Sequence, residues 1–163
     1  TRWIEDGWTT PVPVHNDNWK INGCPVNGPA VDAKGKHVIT AWFTAADDDP
    51  RVLASFSQDS GDRFTEPIRL DAGNAIGRVD TVSLEDGTGL VSWLEPNEEN
   101  VLLQVVHVSR DGKQAAPITI ANTSASRASG FPQLEVVGDR VYVAWTDVED
   151  VAKIKMTSFR VDE

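Results

Sequence analysis

Carboxylates and guanidinium groups are the side chains of this sequence best able to do chemistry. Asp47, Asp48 and Asp49 run together ahead of Pro50. A carboxyl in such a turn is an acid/base candidate, although a charge run before proline is also the ordinary make-up of a solvated hairpin tip. Arg78 directly follows Gly77, and Arg127 stands three residues before Gly130. A planar guanidinium holds a carboxylate through two parallel hydrogen bonds, so either arginine suits an anionic ligand. Arg78 has a second reading, a structural ion pair with Asp80, two residues on and so on the same face of a strand. Tyr142, the single tyrosine, lies mid-strand in Val141-Tyr142-Val143 and reads as a core residue rather than a nucleophile. His15, His37 and His107 are scattered without metal-ligand spacing, and Cys24 is alone, which excludes an intrachain disulfide and a thiolate metal centre. The acidic turns lack a calcium-loop pattern, so neither a metal nor a cofactor is expected. Phosphoryl transfer and serine hydrolysis have no support, because there is no glycine-rich phosphate loop and no Gly-x-Ser-x-Gly elbow.

The elements that must position these groups are strands. Val, Ile and Thr total 40 residues against eight Leu and one Met, the bias of pleated surfaces. Apolar stretches recur between turn signals at 37–43, 51–57, 89–94, 101–109, 131–137, 140–146 and 153–160. The segment 147–154 has some helical spacing but is too short for a stable helix, and it reads as a hairpin turn. Several strands are apolar on both faces: Val38, Thr40 and Trp42 point one way, Ile39, Ala41 and Phe43 the other. Such strands must be covered on both sides.

The pattern repeats. Trp42, Trp93 and Trp145 end near-identical strands and are 51 and 52 residues apart. An Asp closes a later strand each time, at Asp59, Asp111 and Asp162, with Asp6 in phase near the start. Gly7, Gly61 and Gly112 follow the first three of these, and then Pro11, Pro67 and Pro117, each opening a short apolar strand. The expected organisation is one domain over 1–163, built from three repeats of about 52 residues (6–58, 59–110 and 111–162), each holding four short strands.

The sharpest motif is Ser57-Gln58-Asp59-Ser60-Gly61-Asp62-Arg63-Phe64. Ser57 and Asp59 suit side-chain bonds to the local backbone, Gly61 tolerates positive φ, and Phe64 packs beneath. This segment resembles the Asp box of sialidases and of bacterial proteins with sialidase-type repeats. The stretches 23–29 and Gly77-Arg78-Val79-Asp80 resemble an uncharacterised bacterial branch of that family. Asp6-Gly7-Trp8 and Asp111-Gly112 look like eroded copies of the box, and Asp162 is followed only by Glu163.

The resemblance implies an all-β fold, a six-bladed propeller of which three repeats are half, and a structural role for Ser57, Asp59, Gly61 and Phe64 on the face away from the active site. Three blades cannot surround an axis. The chain is therefore expected to be either part of a longer protein or a half-ring that completes itself as a homodimer by exchanging outer strands, Pro11–Val14 being the segment exchanged. The family pattern gathers the loops entering the innermost strands and the turns after the Trp strands on one face. Lys20, Asn27, Arg78 and Arg127 then form a basic centre beneath an acidic rim that includes Asp47–Asp49, Glu149 and Asp150. Sialidases grip a sugar carboxylate with three arginines, attack with a Tyr–Glu pair and use an Asp as acid/base. By likeness, Arg78, Arg127, Asp80 and Asn27 become substrate-binding residues and Asp47, Asp48 or Asp49 the acid/base; no third arginine or Tyr–Glu pair is legible.

The leading expectation is a sialidase-like glycoside hydrolase, or part of one, acting on an acidic sugar. The alternative is a non-catalytic propeller module that binds a glycan or a protein, or a scaffold. A net charge of −10 argues against a nucleic acid partner or an anionic bilayer. No apolar stretch is long enough to cross a membrane, and no leader opens the sequence. Likeness to bacterial sialidases implies secretion or the periplasm, while the lone cysteine leaves the compartment open.

Overall fold

The computed structural model describes residues 1–22, 26–148 and 150–161. Glu149 of the acidic rim, Asp162 of the last repeat and Cys24 lie outside them. The described residues form thirteen strands, and no α-helix is present among them. A two-residue hairpin, β1 (Trp3–Ile4) and β2 (Gly7–Trp8), opens the chain, with the Trp3 and Trp8 rings edge to face at 5.4 Å. Three antiparallel meanders follow. The first comprises β3 (Ala30–Lys34), β4 (His37–Thr44), β5 (Arg51–Ser57) and β6 (Ile68–Arg69). The second comprises β7 (Gly77–Ser83), β8 (Gly89–Pro96), β9 (Val101–Val108) and β10 (Ile118–Thr123). The third comprises β11 (Gln133–Val137), β12 (Arg140–Asp147) and β13 (Lys153–Arg160).

The strands of each sheet lie in chain order, but the sheets do not coincide with the expected repeats: β6 falls in 59–110 and β10 in 111–162, so the first and second sheets each take their fourth strand from the repeat that follows. The third has three among the described residues, and residues 11–14, expected to open a strand after Pro11, belong to no sheet.

The two-sided apolar strands are explained by what covers them. One buried cluster joins Ile39, Ala41 and Val52 of the first sheet to Val79, Trp93 and Val106 of the second. Another joins Leu90, Leu94 and Leu103 of the second sheet to Leu134, Val141 and Val143 of the third, with Trp145 packed against it. The second sheet is therefore sandwiched, and Trp93 is completely buried. Trp42, its counterpart one repeat earlier, is only half-buried: its ring meets His15 at 6.2 Å and its indole donates to Asp17 at 3.4 Å instead of lying between two sheets.

Side chains of the inner strands stitch the sheets together. Asp32 Oδ2 of β3 accepts from the Ser83 amide of β7 at 2.7 Å, and Asp80 Oδ2 of β7 accepts from the Leu134 amide of β11 at 2.6 Å. A buried amide must find an acceptor somewhere, and here the next sheet's amide finds a carboxylate.

The Asp box folds as its residue types predict. Asp59 Oδ1 accepts from the amides of Asp62 at 3.0 Å and Arg63 at 2.9 Å, and from the Ser57 hydroxyl at 2.7 Å; Ser57 Oγ accepts from the Gly61 amide at 2.9 Å. Gly61 has φ +83°, and the Phe64 ring lies 3.9 Å from where its Cβ would sit. The Arg63 amide, with the Ser57 hydroxyl, holds the Asp59 carboxyl below its ordinary range. The copy at Asp111 keeps more of this geometry than its sequence suggests: Ser109 donates to Asp111, and Gly112 has φ +83°. Glu5-Asp6 instead forms the turn of the β1–β2 hairpin, and Gly7 opens β2 opposite Ile4.

Candidate functional site

Strand register places the loops that enter β3, β7 and β11 at the same end of each sheet as the turns that follow the tryptophans. Ala30 pairs with Ala41, Gly77 with Leu94, and Gln133 with Ala144. Contacts between sheets bring these loop ends together, since Asn27 reaches β7 and Arg78 reaches the loop before β11. The expected common face is present.

Arg78 is its centre, in a way the sequence did not disclose. The register of β7 on β8 slips between Gly77 and Asp80, and this bulge puts two successive residues in the left-handed region, Gly77 at φ +89° and Arg78 at φ +55°. Asn27 holds the distortion in place. Its Oδ1 accepts from the Arg78 amide at 2.9 Å and its Nδ2 donates to Ile76 O at 3.0 Å, one bond on either side of Gly77. A Cβ on Gly77 would lie 2.8 Å from both Asn27 Oδ1 and the Phe43 ring.

The bulge aims Arg78 into the neighbouring loop. The guanidinium, in a residue only 6% exposed, donates to Ala125 O at 2.9 Å, to Gly130 O at 3.2 Å and to Ser129 Oγ. Every acceptor is neutral, and burial lowers the guanidinium's pKa. The alternative pairing of Arg78 with Asp80 is overturned: Asp80 spends its carboxylate on the Leu134 and Thr81 amides, and burial pushes its carboxyl up. Residues two apart on a regular strand share a face, but the bulge breaks that rule here.

The loop so fixed carries Arg127. Residues Arg127–Ser129 form a 3₁₀ turn capped by Ser126, whose side chain accepts from the Ala128 amide at 3.2 Å. Ser129 Oγ, buried, donates within the same loop toward Ser124 O and Ser126 O. Arg127 itself is exposed and makes no ion pair among the described residues. Beside this loop, between the second and third sheets, lies a polar hollow of about 200 Å³ lined by Asn100, Asn122, Thr123, Ser124, Asp147 and Val148. Of these residues the sequence repeat singled out only Asp147, in the acidic turn after Trp145. The available signal was the polar run Asn122-Thr123-Ser124 at the end of β10, an outer strand where apolar residues are expected.

The acid/base candidates fare differently. Asp47 and Asp48 are exposed in a 3₁₀ turn, both at φ +58°. Asp49 is held in an ion network: Arg51 donates to it at 2.7 Å, and Arg69 bridges it at 3.0 Å to the buried Asp71 at 2.9 Å. The hydrogen bond from Arg51, followed by that from Arg69, keeps its carboxyl below the ordinary range, the opposite of what a general acid needs. This turn is the solvated hairpin tip of the alternative reading. Of the other rim carboxylates, Glu95 is buried and accepts from the Trp93 indole and the Ala72 amide, both at 2.9 Å, and Asp147 pairs with Lys155.

Tyr142 stands directly across from Glu135 in the β11–β12 ladder, a juxtaposition the sequence did not reveal. The pair lies mid-strand rather than at the loop end, and Glu135 accepts from the adjacent Val136 amide at 3.1 Å. No cluster of His, Cys, Asp and Glu able to hold a metal occurs among the described residues. No family model matches the chain, and no curated protein matches it.

Proposed function

We propose that the three sheets are consecutive blades of a sialidase-type β-propeller whose loop end binds a carboxylate-bearing sugar without hydrolysing it. Two observations support the architecture: meanders packed face to face through their inner strands, and Ser-x-Asp turns of one design at Asp59 and Asp111.

The observation that carries the function is Arg127. A cation with a free guanidinium fork, on a loop immobilised by a buried second arginine and adjoining a polar hollow, is pre-organised for a carboxylate with hydroxyls beside it. Arg78 is a positioning residue in this reading, since its donors face the loop rather than solvent. Asn27 positions Arg78 in turn, and Asp80 fastens the second sheet to the third.

Hydrolysis has weaker support. Asp49 is tied into its ion network, Asp47 and Asp48 stand exposed at the tip, and the Tyr142–Glu135 pair lies away from the arginine loop.

Calorimetric titration with a sialylated trisaccharide tests the reading. Saturable binding that weakens at least tenfold in Arg127→Ala and survives Asp47→Asn is the expected result, tenfold corresponding to about 1.4 kcal/mol. Binding indifferent to Arg127→Ala overturns the site. Turnover of fluorogenic sialosides anywhere between about pH 4 and 8 overturns the non-hydrolytic assignment, and loss of that turnover in Tyr142→Phe would move the chemistry to the third sheet.

A further inference from the structure

Backbone or space accounts for glycine at every described glycine position but one. Nine have positive φ, and a Cβ on Gly89 would lie 2.5 Å from the Ile39 side chain. Gly28 alone has neither a left-handed backbone nor any atom within 4 Å of where its Cβ would sit. It is exposed, so the fold has room for a side chain there. What sets the position apart is its neighbour, Asn27. A glycine after an asparagine leaves its own amide nitrogen unhindered beside the side-chain carbonyl carbon, and asparagine is among the chemically labile side chains.

Asn27 is also the residue whose side-chain amide the loop end can least spare. Its Oδ1 accepts from the Arg78 amide at 2.9 Å and its Nδ2 donates to Ile76 O at 3.0 Å. While both bonds stand, the side chain is committed to β7 and is not free to rotate onto the Gly28 nitrogen. A local opening that breaks them releases the amide next to an exposed glycine, where water has access.

We propose that Asn27-Gly28 is a site of spontaneous deamidation whose products irreversibly release the bulge at Gly77 and Arg78. The Gly28 backbone nitrogen attacks Asn27 Cγ and forms a C–N bond; the Cγ–Nδ2 bond breaks, and Nδ2 leaves as ammonia with the proton that the backbone nitrogen gives up. Water then opens the succinimide at one of its two carbonyls. The product is Asp or, with the main chain rerouted through Cγ, isoaspartate. In both, the donor to Ile76 O is gone. Asp turns a carboxylate oxygen toward that carbonyl, acceptor against acceptor. Isoaspartate lengthens the backbone and shortens the side chain, so its carboxylate no longer spans the gap to β7. The left-handed pair Gly77 and Arg78 then loses the side chain that holds it. Arg78 loses its aim at Ala125 O and Gly130 O, and the 124–130 loop loosens. The release is independent of what that loop binds.

Tandem mass spectrometry of proteolytic peptides, after incubation in mildly alkaline buffer, reads the conversion at Asn27 in the folded chain and in concentrated urea. All chains carry Asn22→Gln, which removes the other Asn-Gly pair of the sequence. Conversion is expected in both conditions, slower in the folded chain by about tenfold or more, as two hydrogen bonds of ordinary strength predict. The deamidated chain, separated on anion exchange by its added negative charge, is expected to unfold at lower urea concentration and to be cleaved faster within 124–130. Gly28→Ala is expected to slow conversion at Asn27 in urea while keeping the parent's urea midpoint. Equal rates in the folded and unfolded chains overturn the inference, and so does a folded chain that never converts. A deamidated chain with the parent's midpoint and protease resistance overturns it as well. Destabilisation of Gly28→Ala to the level of Asn27→Asp overturns the chemical role given to the glycine.

Discussion

At the residue scale, the loop end depends on Gly77 more than on the arginine beside it. Gly77→Ala combines a left-handed backbone with a 2.8 Å approach to Phe43 and Asn27, and should cost more than about 2 kcal/mol in denaturant unfolding. Asn27→Ala orphans Ile76 O and the Arg78 amide; a loss of about 1–3 kcal/mol is expected. Weakened binding in Asn27→Ala, despite the distance in sequence from Arg127, would identify the chain of support from Asn27 through Arg78 to the loop. These residues were legible as candidates but not as a device. Asn27 and Arg78 are 51 residues apart, and no local pattern records that one side chain bonds the backbone on both sides of a glycine in the next sheet. The Arg78–Asp80 alternative failed for a related reason, since a bulge is a register defect and register belongs to two strands.

At the element scale, the same tryptophan in successive repeats should contribute unequally. Trp93→Ala empties a site sealed between two sheets and should cost about 3–5 kcal/mol, whereas Trp42→Ala, on the open flank, should cost distinctly less. Equal losses in urea denaturation would mean that the flank of the first sheet is covered in solution. Strand positions were the most legible feature of all: 51–57 and 153–160 were readable to the residue, the first because Pro50 opens it and the turn residues from Asp59 close it. Pro11–Val14 has the same punctuation and forms no strand, because a strand exists only where a neighbour offers a ladder. The Asp box lies between these cases, readable because the bonds to Ser57 Oγ and Asp59 Oδ1 that shape its turn close within residues 57–63.

At the scale of the whole molecule, carboxylates set the response to pH. Asp17, Asp49, Asp59, Asp86 and Asp111 all have lowered folded-state values, mostly through hydrogen bonds to backbone amides, hydroxyls and cations. Their stabilisation is present above the unfolded carboxyl range near 4 and is lost as pH falls through the folded values, so the midpoint of thermal unfolding should drop steeply below about pH 4. Asp80 acts in the opposite sense. Burial raises its folded value, so its contribution is fullest in acid and declines as pH rises through that value. Asp80→Asn keeps an acceptor for the Leu134 amide and removes the charge, and should flatten the stability profile above about pH 4 relative to the parent. A profile unchanged by the substitution would place the Asp80 carboxyl in contact with water.

The two carboxylate bonds between inner strands give the molecule a direction. Asp32 reaches forward to Ser83 and Asp80 reaches forward to Leu134; each sheet supplies the acceptor and the following sheet the donor. Trimming the chain is therefore not symmetric. Removal of the third sheet takes from the partly buried Asp80 its Leu134 donor and leaves it the Thr81 amide alone, whereas removal of the first leaves only an amide on β7, which water can satisfy. Shortened forms should thus survive loss of their beginning better than loss of their end, and an added repeat would graft more readily after β13 if its first strand offered an amide to Glu135.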